Sequence, residues 1–362
     1  MDLNLLRDHL AKYVEHMKND PDKFEKDLEE RKERIAYYQS CTADQILKMT
    51  EEDFYEYLSK LWAMLIWGNK HYKIDKILLE NGLGEFRNEL AQLVWGNESI
   101  VDKWDNFRTT IKGMGPAMMS EILCHTHPVE CMLWNRRAYV GLNYLGVKNL
   151  PRYDYQMTGK KYSELSSVAK DIAIEMEKFG IQKTDLLTVD YFIWDELQVE
   201  DKLSQIYKKK KTKDVPKLPD DKETSDFIHN EVRDKIADIG QWLGFKTYIE
   251  KNVAEGSRVD TVWETSVGNM GRIIYVFEVQ TKGSIDGLIL NLLKSMNNPA
   301  VQGVVAVSDK EQLEKIKRHA ENVGDLSKKL RYWDYEEVLQ NHEALELVNE
   351  SINRLGLVPD FF

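Results

Sequence analysis

The chain predicts an α+β, two-domain protein: an all-α domain over residues 1–200, a charged linker at 201–224, and an α/β/α domain with a central mixed sheet over 225–362. Three observations carry that expectation. Apolar residues recur at helical spacing from Leu3 to about Leu197, the pattern dissolves into charge and proline between Asp201 and Thr224, and beyond it helical and strand periods follow one another. At 362 residues the chain also exceeds what one hydrophobic core usually serves, which makes two domains the expected number.

In the first region Phe54, Leu58, Leu61, Trp62, Leu65 and Ile66 fall on one helical stripe, as do Leu165, Val168, Ile172 and Met176. Thr42 stands where a helix N-cap is needed, and Gly68, Gly82, Gly96, Gly113, Gly146 and Gly180 stand at breaks. The linker holds Lys208–Lys211, Lys213, Pro216, Pro219 and Asp220-Asp221. Its lysine run reads as a solvated spacer, with a phosphate-tracking segment as the alternative.

In the second region Phe227 to Leu243 reads as a helix ended by Gly244. Phe245–Asn252, Arg258–Thr265 and Arg272–Gln280 read as strands, Ile285–Met296 as a helix, and Val301–Val307 as a buried strand. Helices over Asp309–Asn322 and Glu336–Asn353 flank a short strand at Leu330–Trp333.

Bulk properties narrow the function classes. A net charge of −11 argues against a generic polyanion binder, so any nucleic-acid contact has to be local. No stretch approaches the ~20 apolar residues of a membrane span. Met1 to Asn4 offers no basic, then apolar, secretory start, and Cys41, Cys124 and Cys131 are an odd set without a CxxC spacing. A cytoplasmic chain with reduced thiols and no membrane partner is the expectation.

The chemistry concentrates on two strands. Alternation along Ser257–Glu264 puts Arg258, Asp260, Val262 and Glu264 on one face, away from Val259, Thr261 and Trp263. The next strand begins as the two-sided apolar run Ile273–Phe277 and then presents Glu278 and Gln280. A carboxylate at the end of an apolar central strand needs a balancing charge. Asp260 and Glu278 on adjacent strands form a hard oxygen pair suited to Mg²⁺, or Mn²⁺, and such a site supports phosphodiester hydrolysis. A salt-bridged core Glu beside an ordinary strand Asp is the bland alternative.

The order helix, three strands, helix, strand, with Asp260 and Glu278-Val279-Gln280, resembles the PD-(D/E)xK restriction-endonuclease-like superfamily over roughly 225–308. The resemblance implies that Asp260 and Glu278 hold the metal with the Val279 carbonyl. It also implies a lysine two positions after the Glu, where this chain has Gln280, a residue that some restriction endonucleases carry there. Lys282, of the same strand parity, and Lys294, on the following helix, are candidates for the missing charge, each otherwise a surface residue. Glu231 matches the place of an accessory acid in many members, its alternative being a solvated helix face. Ser284 and Asp286 read as the N-cap and first-turn acid of the helix after the active strand.

In the helical region Ile111-Lys112-Gly113-Met114-Gly115-Pro116-Ala117 reads as a hairpin between two helices, with Pro116 at the first helical position. It resembles the helix-hairpin-helix motif, a plain helix-turn-helix packing element being the alternative, and its continuation through Trp134-Asn135-Arg136-Arg137 resembles the helix-hairpin-helix DNA glycosylases. The chain departs from the catalytic members at Ala117, where bifunctional enzymes have a lysine, and at Asn135, where the catalytic aspartate would fall. The resemblance therefore implies DNA binding through Lys112, Gly113, Gly115, Asn135, Arg136 and Arg137 without base excision. Cys124, His125, His127 and Cys131 are too cramped for a usual zinc site and read as core cysteines and a surface His pair. Trp62, Trp67, Trp95, Trp104 and Trp134 read mainly as helix-packing residues.

Together these readings predict a Mg²⁺- or Mn²⁺-dependent DNA endonuclease of the restriction or genome-defence kind, working as a homodimer on duplex DNA. A catalytically silent DNA-binding or regulatory protein and an RNA-directed nuclease are the alternatives.

Overall fold

The computed structural model describes residues 1–67, 70–182, 184–197, 222–266, 272–281, 284–321, 323–324, 326–353 and 355. The chain divides into two compact units, one within Met1–Asp214 and the other within Val215–Val358. The expected linker falls almost wholly outside the described residues, including its lysine run.

The first unit is helical. It comprises α1 (Leu3–Asn19), α2 (Pro21–Ser40), α3 (Ala43–Ile46), α4 (Glu51–Ser59), α5 (Lys70–Asn81), α6 (Leu83–Trp95), α7 (Ile100–Thr110), α8 (Pro116–Thr126), α9 (Arg136–Tyr144), α10 (Gly159–Lys178) and α11 (Leu186–Glu196). The chain marks these helices with caps: the side chains of Asp2, Thr42, Thr50, Ser99, Asn135, Thr158 and Asp185 each accept an N–H from the first turn. Each cap satisfies a donor that the helix leaves unpaired, at about 1 kcal/mol apiece. Helix α8 is buried on all sides, which marks it as the centre of this unit.

One helical expectation fails. The stripe from Phe54 to Ile66 predicts a continuous helix, yet α4 stops at Ser59 and the chain re-forms as a 3₁₀ turn at Trp62–Met64. The reason is Glu121 on α8, whose buried carboxylate accepts the N–H groups of Trp62 (2.5 Å) and Ala63 (2.9 Å). Those amides would otherwise be spent on the helical ladder. The tryptophans pack as their spacing implies: Trp104 stacks on Tyr162 at 4.1 Å, and Trp62 meets His125 edge-on.

The second unit is mixed. Its elements are α12 (Lys222–Trp242), β1 (Lys246–Ala254), β2 (Ser257–Ser266), β3 (Arg272–Val279), α13 (Ile285–Ser295), β4 (Val301–Ser308), α14 (Lys310–Ala320), α15 (Leu326–Lys329), β5 (Leu330–Asp334) and α16 (Tyr335–Asn353). The described strands form one sheet in the order β1-β2-β3-β4-β5. Pairing is antiparallel from β1 to β3 and parallel from β3 to β5. The parallel steps follow from the helical crossovers α13 and α14–α15, whereas short turns force antiparallel neighbours.

Helices cover both faces. On one face Val262, Ile274 and Val276 pack with Leu288, Ile289 and Leu292 of α13 and Ile316 of α14. Val259, expected on the opposite face, joins the same cluster because the start of β2 turns toward α13, where the Ser257 hydroxyl bonds the Asn291 carbonyl. Against the other lies α12, whose backbone carbonyls at Arg233 and Ile236 accept the Thr261 hydroxyl (3.0 Å) and the Trp263 indole N–H (2.9 Å). Gly240 lets α12 come this close, since a Cβ there would overlap the Trp263 ring.

Candidate active site

The register of β2 and β3 sets the geometry. They pair from Ser266↔Arg272 to Thr261↔Phe277, so the next opposed positions are Asp260 and Glu278. There the ladder gives way to side chains. Val279 donates its N–H to Asp260 Oδ2 at 2.7 Å, and Asp260 donates its own N–H to Glu278 Oε2 at 3.2 Å. Each carboxylate thus anchors the other's strand, and the pair is held side by side where the strands part.

Two further residues complete the cluster, and neither was expected from the sequence. Asn291 on α13 donates its amide to Glu278 Oε1 (2.8 Å) and to the Arg258 carbonyl (2.6 Å). On the opposite side His229 of α12 brings Nε2 to 3.3 Å from Asp260 Oδ2. Burial pushes the Glu278 carboxyl up to about 7, reinforced by the charge of Asp260 and opposed by Asn291, the Asp260 N–H and His229. Burial pulls the His229 imidazole down, but the hydrogen bond and charge of Asp260 outweigh it, and the net direction is up.

The remaining predicted residues scatter. Gln280 is buried at the end of β3, its N–H donated to the Val307 carbonyl (2.8 Å) and its own carbonyl accepting the Ser308 hydroxyl. Val279 is buried and contributes its N–H to Asp260 as above. Glu231 lies 3.7 Å from Lys235 on its own helix. Two residues past His229, it is turned by about 200° around α12. That is the face from which Asp238 pairs with His342 of α16, so Glu231 sits away from the carboxylate pair. Lys294 reaches the β1–β2 turn, its Nζ 3.7 Å from where a Cβ on Gly256 would stand. That turn is about 13 Å along the strand from Asp260. Lys282 lies outside the described residues.

In the helical unit Gly113, at φ +81°, makes the hairpin turn between α7 and α8, and Lys112 is exposed on it. Asn81 pins the hairpin by accepting the Lys112 N–H (2.8 Å) and donating to its carbonyl (2.9 Å). Two carboxylates stand close by: added Cβ atoms would lie 3.8 Å from Glu80 Oε2 at Gly113 and 3.2 Å from Asp154 Oδ2 at Gly115. Asn135 caps α9, accepting the Ala138 N–H at 2.9 Å. Arg136 begins that helix, and Arg137 lays its guanidinium over the Trp194 ring. Ser120 bonds both the N–H and the carbonyl of Trp134, which ties the start of α9 to the N-terminal half of α8.

The Cys–His cluster corrects one expectation. Cys124 and Cys131 are buried as expected, but His125 is not a surface residue: it is fully buried and stacked on Tyr38 at 5.0 Å. Burial pushes its imidazole down to about 3, which keeps it neutral.

Among the described residues no group of three or more His, Cys, Asp or Glu side chains is arranged as a metal cage, and no helix is long and apolar enough to cross a membrane. The Asp260–Glu278 pair is therefore a two-carboxylate site, the kind that Mg²⁺ completes with water and substrate oxygens. Compared with family models, curated proteins and solved structures, the chain matches none.

Proposed function

We propose that this chain is a Mg²⁺- or Mn²⁺-dependent endodeoxyribonuclease of the PD-(D/E)xK type, with Asp260 and Glu278 as its metal ligands. The observation that carries the reading is their opposition across the parting ends of β2 and β3, where Glu278 is pushed up to about 7. Two adjacent carboxylates, one of them raised first by burial and then by its neighbour's charge, fit a divalent cation, and their hard oxygens suit Mg²⁺ or Mn²⁺. When bound, the metal supplies a water of lowered pKa and neutralises charge on the phosphate.

The chain's own residues do the positioning. Asn291 fixes the Glu278 carboxylate from α13, and the Val279 N–H and His229 fix Asp260. The Val279 carbonyl is the third oxygen of the proposed ligand set. His229, partly exposed, holds Asp260 through Nε2, which leaves Nδ1 as the ring nitrogen to exchange a proton with solvent while that bond persists. The helical unit is proposed to read duplex DNA through the Lys112–Gly115 hairpin and the start of α9. The exposed Lys112 and the turn at Gly113 support this, and Glu80 and Asp154 weigh against a strong phosphate site there. Cutting both strands takes two such centres, so the working unit is proposed to be a homodimer.

A second reading has its own support. Gln280 is buried where the family's lysine would stand, and Lys294 points to the β1–β2 turn. A catalytically silent DNA-binding protein fits those two facts. A cleavage panel of duplex DNA, single-stranded DNA and RNA, run with Mg²⁺, Mn²⁺ or chelator, separates the readings. The nuclease reading expects metal-dependent cutting of duplex DNA that Asp260→Ala and Glu278→Ala both abolish. Cutting of RNA alone moves the substrate class, and cutting untouched by both substitutions contradicts the site.

A further inference from the structure

Beside the carboxylate pair, β1 breaks its own rules. Its register with β2 runs Ile249↔Thr261 and then Lys251↔Val259, skipping Glu250, the residue opposite Asp260. Glu250 takes φ +50°, a left-handed conformation that a residue with a Cβ adopts at a cost of about 1 kcal/mol. Such strain persists only where the surroundings enforce it. Here the enforcement is visible: the Glu250 carboxylate takes Arg233 Nη1 at 2.9 Å on one oxygen and Arg258 Nη2 on the other.

The two arginines differ in kind. Arg233 is buried, with its guanidinium also bonded to Asp234 at 3.0 Å, so it serves as an internal strut. Arg258 leaves 64% of its side chain exposed. It precedes Asp260 by two residues, which places it on the same face of β2, about 7 Å along the strand. Its carbonyl is held by the same Asn291 amide that holds Glu278. Main chain and guanidinium are therefore fixed from two sides, next to the metal ligands. A guanidinium has five N–H donors in a planar fork, and Glu250 engages one end of it. Arg233 shares the charge of Glu250, so a phosphate can take the rest of the Arg258 fork.

We propose that Arg258 grips a phosphate of the substrate strand beside Asp260 and Glu278, and that Glu250 is the positioning residue that aims it. This rests on the nuclease reading. It assigns to a neighbouring strand position the positive charge that Gln280 does not supply, and it accounts for a strained residue opposite a metal ligand. Its role is to bind and orient the substrate, leaving metal affinity to the carboxylates.

The test is steady-state plasmid cleavage with Mn²⁺ at several salt concentrations, beside Mn²⁺ calorimetry on the same proteins. Arg258→Ala is expected to raise KM about tenfold and to reduce the salt slope by about one, as loss of a single phosphate contact does. kcat falls less than about threefold, and Mn²⁺ affinity stays at the wild-type value. Arg258→Lys restores the salt slope but only part of KM, because the charge returns without the fork. Glu250→Gln raises KM by a smaller factor. A cleaving wild type whose Arg258→Ala variant keeps its KM and salt slope overturns the assignment alone, as does loss of Mn²⁺ binding in that variant. A wild type that neither binds Mn²⁺ nor cleaves overturns the nuclease reading itself.

Discussion

The substitution Glu278→Gln keeps the size of the side chain and removes its charge. In the metal-free protein the Glu278 carboxyl is raised from 4.5 to about 7, chiefly by burial and then by Asp260. The folded state therefore holds this proton more tightly than the unfolded chain does. The stability penalty is absent below pH 4.5, grows as pH rises through the interval to 7, and is complete above it. At about 1.4 kcal/mol per pH unit the shift amounts to ~3 kcal/mol at pH 8. The variant has one amide oxygen for the two donors that Glu278 accepts, the Asp260 N–H and the Asn291 amide, so one of those bonds is lost, which returns about 1 kcal/mol. The metal-free variant is expected to be more stable than wild type by ~2 kcal/mol at pH 8, or about 5 °C in Tm, and no more stable at pH 4.5. Thermal unfolding with chelator, followed by circular dichroism across that range, measures it. Mn²⁺ at pH 8 then raises the wild-type Tm and leaves the variant unchanged. Equal stability of the two proteins at pH 8 refutes the claim that an ionised Glu278 is strained when no cation balances it.

Three further outcomes follow from the same contacts. His229 is raised by its bond to Asp260, so His229→Gln is expected to destabilise by about 1 kcal/mol below pH 6.5, an effect lost as pH rises through the folded-state value. NMR titration checks the cause, since Asp260→Asn must lower the His229 midpoint. Asn291→Ala removes the bonds to Glu278 and to the Arg258 carbonyl, and is expected to cost about 1–2 kcal/mol and to move Glu278 further up. Carboxylate-resolved NMR and urea unfolding read both. In the helical unit a Cβ at Gly159 would run into the Val101 backbone, so Gly159→Ala is expected to destabilise by ~2–3 kcal/mol in urea unfolding, with Mn²⁺ affinity unaffected.

How much of this was legible in the chain depended on which force set each feature. The strands were legible because period-two alternation and the apolar run Ile273–Phe277 reflect burial on a sheet. Asp260 and Glu278 follow from the same local logic, since a hairpin partner and strand parity fix who opposes whom. Helix rotation was not legible. The resemblance points to Glu231 and helix spacing to Lys294, whereas the residues turned to the site are His229 and Asn291, two and three positions earlier. The usable signal on α12 was the i, i+4 pair His229 and Arg233, which shares the face of Ile236 against β2. The break after Ser59 was hidden for a different reason. It comes from Glu121, distant in sequence, whose carboxylate meets the Trp62 and Ala63 amides only in the folded unit. The left-handed turn at Glu250 was equally invisible, because no glycine or asparagine marks it.

The claim that Asp260 and Glu278 form a metal site is tested most directly by Mn²⁺ calorimetry on the wild type and on Asp260→Ala at pH 8. One site per chain in the wild type, lost in the variant, is the predicted result. Mn²⁺ binding that survives Asp260→Ala, or a wild type that binds none, contradicts it.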